Sequence, residues 1–307
     1  MNPWLKAPLT GLANVAVVLL VAPLCEGVIR KVTARVQSRQ GPPLWQPYLD
    51  LFKLLGKEDI ESGESPMLQR LAAYLSLGAA LTLAWFIPLG TTPPLFVSGD
   101  ALVLIYLLTL CGVSTLLAGL AAGSTYSLFG VSREMMCMLT LEPLLAVAVI
   151  IGSVEVGSLR LDKILHASVY SLDSVPLAGV LMLVILMFSF QAFVGRIPFD
   201  IAEAETEIME GALIEYSGPK LGLFKYAQMV KLVVYSGLVV GLFFPWGGSL
   251  LYPLGLVVTL AKIGALVLLV TLVGATHARY RIDQAIRYYA VLFALSVLAL
   301  TLALVGF

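Results

Sequence analysis

Long apolar runs separated by short polar segments extend along the whole 307-residue chain. A helix needs about 20 apolar residues to cross about 30 Å of hydrocarbon, and each run is close to that length. The runs do not show the alternation of apolar and polar residues that a membrane β-barrel requires, so helices are favoured. The runs lie near residues 9–29, 71–89, 101–121, 135–152, 176–195, 225–244, 254–275 and 288–306. This pattern predicts an all-α integral membrane protein with eight transmembrane helices.

The composition agrees with a bilayer environment. Hydrophobic residues make up 59% of the chain and charged residues 12%, about half the charged fraction of a soluble globular protein. The net charge of zero and the lack of a basic patch argue against a nucleic-acid partner. Only Lys6 precedes the first run, which continues apolar to Cys25, so we expect an uncleaved helix rather than a signal peptide. With no linker or repeat, residues 1–307 form one membrane domain.

The distribution of cations predicts the orientation of the helices. The opposite set of loops and the N-terminus hold three cations, Lys6, Arg160 and Lys163. The segments after the first, third, fifth and seventh runs hold fourteen: Arg30, Lys31, Arg35, Arg39, Lys53, Lys57, Arg70, Arg133, Arg196, Lys220, Lys225, Arg279, Arg281 and Arg287. Cytoplasmic loops carry the excess of Lys and Arg, so both termini are predicted on the outer side. The two largest inner loops, about 30–70 and 196–225, are the expected docking surface for a soluble partner.

The second of these loops is strongly acidic. Six carboxylates fall within sixteen residues: Asp200, Glu203, Glu205, Glu207, Glu210 and Glu215. If residues 200–210 are helical, four of them share one face and Glu205 lies opposite. Crowded carboxylates in a partly dry site cannot all stay ionised, so some of their pKa values would rise toward neutrality. The alternative is an acidic loop bathed in cytoplasmic water.

Four ionisable residues fall inside or at the end of apolar runs. Glu142, followed by Pro143, lies well within the fourth run, where a charge costs about 2.5–3.5 kcal/mol or more. Such a residue normally faces a partner or a hydrated cavity, and it indicates a proton or ion route. Glu26, Lys231 and Lys262 are further candidates for this route. Each of the four could instead form a structural pair between helices, and Lys231 could extend to the interface.

The remaining chemistry-bearing residues predict no catalytic centre in this chain. Cys25, Cys111 and Cys137 are isolated, and His166 and His277 belong to no recognisable catalytic or metal-binding set. We therefore expect no cofactor in the chain itself and no self-contained enzyme. In the first inner loop, Gly41-Pro42-Pro43 indicates a bend. The residues after it form an amphipathic segment that would lie along the interface or cover a cavity: Leu44, Trp45, Tyr48, Leu51, Phe52, Leu54 and Leu55.

Three separate stretches resemble one family of membrane subunits. They are Arg39-Gln40-Gly41-Pro42 with Gln46-Pro47, Asp50 and Lys53; Ser132-Arg133-Glu134-Met135 with Glu142-Pro143; and Pro198-Phe199-Asp200 through Glu215-Tyr216-Ser217-Gly218. The family is the subunit that joins the membrane and peripheral arms in respiratory complex I and in energy-converting NiFe hydrogenases. The resemblance covers essentially the whole chain, including the eight-helix layout.

The resemblance implies a role for most of the residues singled out above. It implies a carboxylate route that links electron transfer to ion movement, through Glu142, Asp200, Glu203, Glu205, Glu207, Glu210 and Glu215. It also implies docking of a soluble arm at Arg35, Arg39, Asp50, Lys53 and Arg196. The stretch from Ser132 to Pro143 is more similar to the hydrogenase and formate hydrogenlyase branch than to the quinone-using branch.

In the hydrogenase branch, this subunit resides in the prokaryotic cytoplasmic membrane. Its expected partners are hydrogenase large and small subunits, an iron–sulfur subunit, antiporter-like membrane subunits and membrane lipid, with the Ni–Fe centre and iron–sulfur clusters in those partners. The first alternative is the quinone-site subunit of a respiratory NADH:quinone oxidoreductase. The others are a stand-alone secondary ion transporter and a structural anchor that conducts nothing.

Overall fold

The computed structural model describes residues 3–60, 65–90, 99–166, 177–244 and 252–306. Within these ranges the chain is helical, and contact between extended segments is limited to an isolated bridge that joins Asp100 to Arg160. The predicted all-α class is therefore confirmed for the described residues. The helices are α1 (Pro3–Val36), α2 (Gln46–Leu55), α3 (Pro66–Leu83), α4 (Ala101–Ala122), α5 (Thr125–Val156), α6 (Leu161–His166), α7 (Leu177–Phe193), α8 (Glu205–Ile208), α9 (Gly218–Phe243), α10 (Tyr252–Thr276) and α11 (Ile282–Val305), with a 3-10 turn at Gly211–Leu213.

Six helices in the described part of the chain are long and apolar enough to cross a membrane. Two predicted runs, 71–89 and 176–195, coincide with α3, which ends at Leu83, and with α7, which has 17 residues. Neither belongs to the six, so eight spans and the outer position of the termini stay predictions. The six are Leu9–Val36, Ala101–Ala122, Thr125–Val156, Gly218–Phe243, Leu254–Thr276 and Ile282–Val305.

Helix α9 lies at the centre of the bundle. In its most apolar stretch 83% of residues are buried inside the protein, against 28% to 44% in the other five spanning helices. Helices α1, α2, α3 and α10 pack around it. Since its neighbours are protein rather than lipid, α9 can carry polar side chains wherever the surrounding helices leave room for them.

Helix α1 has a proline in its interior, and α9 compensates for it. Pro23 has no N–H to donate to the Leu19 carbonyl, which is left without its helical partner. The Tyr226 hydroxyl of α9 donates to that oxygen at 2.8 Å. This bond fastens the middle of α1 to the central helix.

The amphipathic segment of the first loop forms helix α2, which packs on α1 and α9. Its Pro47 and Leu51 are buried, while Phe52 is 70% exposed on the opposite side. The Tyr48 hydroxyl donates to the Leu20 carbonyl of α1. An apolar face is thus left uncovered beside the mouth of the cavity described below.

The acidic stretch is not one helix, so the shared face predicted for its carboxylates is wrong. Only Glu205–Ile208 is helical, and the next three residues, Met209, Glu210 and Gly211, have positive φ angles of 49°, 69° and 56°. A side chain at Gly211 would place its Cβ 2.1 Å from the Ala202 carbonyl oxygen. The chain turns back on itself here, which a continuous helix cannot do.

Candidate functional site

A cavity of about 940 Å³ lies between α1, α4, α5, α7, α9, α10, α11 and the segment around residues 196–203. Its polar lining follows α9 inward. Lys225, Gln228, Lys231 and Tyr235 line it at steps of three and four residues, which places them on one helix face. At 1.5 Å per residue, Lys231 lies about 9 Å deeper along the helix than Lys225. The cavity therefore connects the loop region to the middle of the bundle.

A network of charges joins the two inner loops at the cavity mouth. Glu26 of α1, with its side chain 7% exposed, accepts hydrogen bonds from Arg196 and from Arg30. Arg30 also donates to Asp50 of α2 at 2.7 Å, and Gln46 donates to the same carboxylate at 3.1 Å. Burial opposes ionisation of Asp50, but the bonds from Arg30 and Gln46 outweigh it and lower its pKa. The loop that carries Arg196 is in this way tied through α1 to α2.

The acids of the second loop are paired with cations rather than crowded together. Asp200 accepts a hydrogen bond from Arg279 at 2.9 Å. Glu210 lies 3.8 Å from the ammonium of Lys225. Asp200 and Glu210 both line the cavity.

Glu207 lies on the outer side of this loop, and its side chain is 53% exposed. Arg133 of α5 donates to it at 2.6 Å and lowers its pKa. The Glu207 carboxylate is therefore stabilised in its charged form, the opposite of what crowding would produce.

Glu203 differs from its neighbours because its pKa is raised. Burial is the largest cause and brings the value to about 7; Asp200 and Glu134 add to it, and Lys225 and Arg196 oppose it. The Gln228 amide of α9 donates to the carboxylate. Glu203 lines the cavity. A carboxyl with this pKa exchanges its proton at neutral pH, as a proton carrier must.

Deeper in the cavity, α5 and α9 face each other with opposite charges. Glu142 lies within electrostatic range of Lys231, and Glu134 acts on both. The Lys231 ammonium lies 5.7 Å from the centre of the Tyr235 ring. A side chain at Gly112 of α4 would place its Cβ 3.1 Å from the Glu142 carboxylate, so the glycine leaves space for it.

The structure brings together most, but not all, of the predicted coupling residues. Lys262 donates to the Phe244 carbonyl at 2.8 Å, away from the wall of the cavity as described, and Glu207 and Glu215 also lie outside that wall. The side chain of Glu205 lies outside the described residues, as do those of Lys6 and His166. Those that line the cavity are Glu26, Glu142, Asp200, Glu203, Glu210 and Lys231.

The predicted docking residues fall into two groups. Lys53 is exposed, Arg35 is partly exposed, and Arg39 is exposed at the cavity rim. Asp50 and Arg196 belong to the ion network at the mouth. Docking of a soluble arm at these residues stays a prediction.

Sequence reasoning overlooked Glu134 as a site residue. It interacts electrostatically with Glu203 of the loop and with Glu142, and so stands between the mouth and the interior. Its spacing of eight residues from Glu142 was a usable signal, because residues eight apart fall within one broad helix face. Gln228 and Tyr235 were also overlooked. They carry no charge at neutral pH, and only the fold shows that they face the cavity.

The arrangement provides groups that can hold and pass protons between the loop region and the bundle interior. Within the described ranges, no three His, Cys, Asp or Glu side chains are grouped as metal ligands. The expectation that metal centres reside in partner chains stays a prediction.

Comparison with known proteins identifies relatives along nearly the whole chain. Hydrogenase-4 component C of Escherichia coli is 36% identical over 88% of this chain and 87% of its own length. Formate hydrogenlyase subunit 4 of the same organism is 36% identical over 89% and 91%. A membrane subunit of the NADH-quinone oxidoreductase of Syntrophobacter fumaroxidans is 34% identical over 88% and 86%.

A solved structure shows the same fold. It is a chain of the membrane-bound sulfane sulfur reductase, an archaeal respiratory membrane complex, with a TM-score of 0.85 and 28% identity over 99% of this chain and all of the other. The protein is a multi-pass membrane protein similar to subunits of membrane oxidoreductase complexes. The family described as NADH dehydrogenase matches residues 10–304, which confirms the resemblance found in the sequence. The chain therefore belongs to the NADH dehydrogenase family.

Proposed function

We propose that this chain is the membrane-anchor and coupling subunit of a multi-subunit, membrane-bound NiFe hydrogenase. In this role it links electron transfer in a docked soluble arm to proton or ion translocation. Relatives that are hydrogenase-4 and formate hydrogenlyase subunits support the assignment. The observation that carries it is the single cavity that joins Glu203, Glu134, Glu142 and Lys231.

In the proposed assembly the chain carries no cofactor. The Ni–Fe centre and the clusters reside in hydrogenase large and small subunits and in an iron–sulfur subunit, and antiporter-like subunits continue the membrane arm. The complex lies in the cytoplasmic membrane of a prokaryote, with eight spans, outer termini and inner loops 30–70 and 196–225 against the soluble arm. The coincidence of α3 and α7 with predicted runs and the excess of cations in the inner loops support this layout.

The proposed mechanism couples a charge on the soluble arm to the protonation of Glu203. Since the pKa of Glu203 is about 7, the carboxyl is close to half protonated at neutral pH. A unit charge about 10 Å away contributes about 1.7 kcal/mol at an effective dielectric near 20. This energy shifts a pKa by about one unit. Reduction of a nearby cluster therefore draws a proton onto Glu203, and reoxidation releases it toward Glu134 and Glu142.

Replacement of the deep carboxylate tests this function. In the intact complex, Glu142→Gln should lower the number of ions moved per electron while leaving assembly and soluble-arm chemistry in place, because only the ionisable group in the membrane is lost. Ion uptake into vesicles, measured together with electron transfer, gives this ratio.

Glu155→Gln is the matched control, since Glu155 is exposed near the other end of α5. An unchanged ion-to-electron ratio in Glu142→Gln would reject the coupling role. Loss of activity only in proportion to lost assembly would instead support a structural anchor.

A second candidate function is the quinone-site subunit of an NADH:quinone oxidoreductase. Two observations favour it: the relatives that are NADH-quinone oxidoreductase subunits and a cavity large enough for an aromatic head group. Electron transfer from the purified complex to added quinone separates the two proposals. A complex that evolves hydrogen and does not reduce quinone supports the hydrogenase assignment.

A further inference from the structure

Two buried polar atoms in side chains that line the cavity have no hydrogen-bond partner among the described residues. They are Oε1 of Gln191, on α7, and the hydroxyl oxygen of Tyr289, on α11. Gln191 is 5% exposed and Tyr289 is fully buried. A buried polar group without a partner is costly, so each such group in a folded protein needs an explanation.

The orientation of Gln191 is fixed by its amide nitrogen. Nε2 donates to the Ile197 carbonyl at 2.6 Å and to the Val270 carbonyl at 2.9 Å, and so uses both of its hydrogens. The amide cannot be reversed without placing its oxygen against two carbonyl oxygens. Oε1 is therefore held as an acceptor that awaits a donor.

Tyr289 is held in the same region of the cavity wall. Its ring packs on Phe199 with 5.4 Å between ring centres, and Phe199 lies two residues after the carbonyl that Gln191 binds. The hydroxyl also lies within electrostatic range of Glu134 and Cys137 of α5. Tyr289 can both donate and accept a hydrogen bond, so it complements the acceptor on Gln191.

We propose that Gln191 and Tyr289 form a binding site for ordered water at the edge of the cavity, which positions that water beside Glu134. Water is the ligand that suits this pair, because it donates to Oε1 and exchanges a hydrogen bond with the hydroxyl at the same time. The site makes α7 and α11 contribute to the route from Glu203 to Glu142. This inference rests on the proposed function, and Tyr289 acts in it as a positioning residue.

The test is a high-resolution map of the intact complex together with proton-coupled turnover in Tyr289→Phe. We expect water density within hydrogen-bond distance of both atoms in the natural protein and none in the variant. Since the variant keeps the ring that packs on Phe199 and loses only an unpaired hydroxyl, its melting temperature should be unchanged or higher. Its proton-coupled turnover should fall several-fold, with a changed solvent isotope effect.

Tyr288→Phe is the matched control. Tyr288 is the neighbouring residue in the same aromatic cluster, but its hydroxyl donates to the Phe188 carbonyl at 3.0 Å. Turnover in this variant should match the natural protein. A dry site in the natural protein overturns the proposal, and so does equal turnover in Tyr289→Phe and the natural protein. Failure of the coupling role appears separately, as an unchanged ion-to-electron ratio in Glu142→Gln with the water still present.

Discussion

Two carboxylates of the same loop, Glu203 and Glu207, are pushed in opposite directions by their surroundings. Glu203 is partly buried beside Asp200 and holds its proton up to about pH 7. Glu207 is exposed, and its bond to Arg133 keeps it charged below its ordinary range. At the level of single residues, a position only four residues along the chain thus decides whether an acid carries protons or forms a surface ion pair.

The pH dependence of stability should reveal this difference. A group whose pKa is raised in the folded state binds its proton more tightly when folded, so it costs stability as the pH rises from its unfolded pKa toward 7. Glu203→Gln should therefore remove up to about 3 kcal/mol of pH-dependent destabilisation between about pH 4.5 and 7. Thermal unfolding of the purified protein across this range measures it.

Glu207→Gln provides a control of opposite sign. Its lowered pKa stabilises the fold above the ordinary range and is lost as the pH falls, and its exposure keeps the effect small. Parallel pH profiles for Glu203→Gln and the natural protein would contradict the raised pKa of Glu203.

The sequence alone predicted which acids matter more accurately than it predicted their neighbours. Glu142 and Glu203 were identified because carboxylates are rare in so apolar a chain. The partners could not be identified, because Arg133 lies 74 residues before Glu207 and Arg279 lies 79 residues after Asp200. Only the packed bundle brings such distant positions together.

At the level of helices, the space for Glu142 depends on α4. Gly112 of α4 faces Met138 and Glu142 of α5, and a Cβ at this position would lie 2.6 Å from the Met138 sulfur. Met138 is flexible and can move, but it would move within the space that the Glu142 carboxylate uses. A glycine on one helix therefore determines the surroundings of a charge on the next.

Gly112→Ala should lower the free energy of unfolding by about 1–3 kcal/mol, as overpacking does, and should also reduce the ion-to-electron ratio. Gly78→Ala is the control, because Gly78 lies in α3 and a Cβ there meets no atom within 4 Å. That change should stabilise the helix by about 0.5–1 kcal/mol and leave the ratio unaltered. Both are measured by thermal unfolding and vesicle assays, and equal effects in the two variants would rule out the spatial argument.

Helices were predicted well where hydropathy is sufficient and poorly where backbone turns decide. Each apolar run coincides with a helix, and the amphipathic segment after Pro43 forms α2. The stretch from 200 to 210 failed because charge spacing says nothing of the left-handed turn at Met209–Gly211. The central place of α9 was also beyond prediction, since a helix that faces lipid and one that faces apolar protein have similar hydropathy.

At the level of the whole molecule, the cavity is open toward the inner loops, and every proposed step needs a redox partner there. The chain alone should therefore not move ions across a membrane. Reconstituted by itself in vesicles under an imposed proton gradient, it should show no specific ion flux, whereas the intact complex should translocate ions during turnover. Sustained ion transport by the isolated chain would instead support a stand-alone transporter.

The enclosure of α9 has a consequence for the biogenesis of the protein. This helix has the lowest mean hydropathy of the six spanning candidates, 1.5, and carries Lys231 near its middle. Alone in lipid it would insert poorly, because a lysine at the bilayer centre costs about 2.5–3.5 kcal/mol on insertion scales. During synthesis α9 emerges after α1 and α3 but before α10. We therefore expect the earlier helices to remain at the insertion machinery until α9 arrives, so that the nascent protein itself provides the environment in which its central helix is admitted to the membrane.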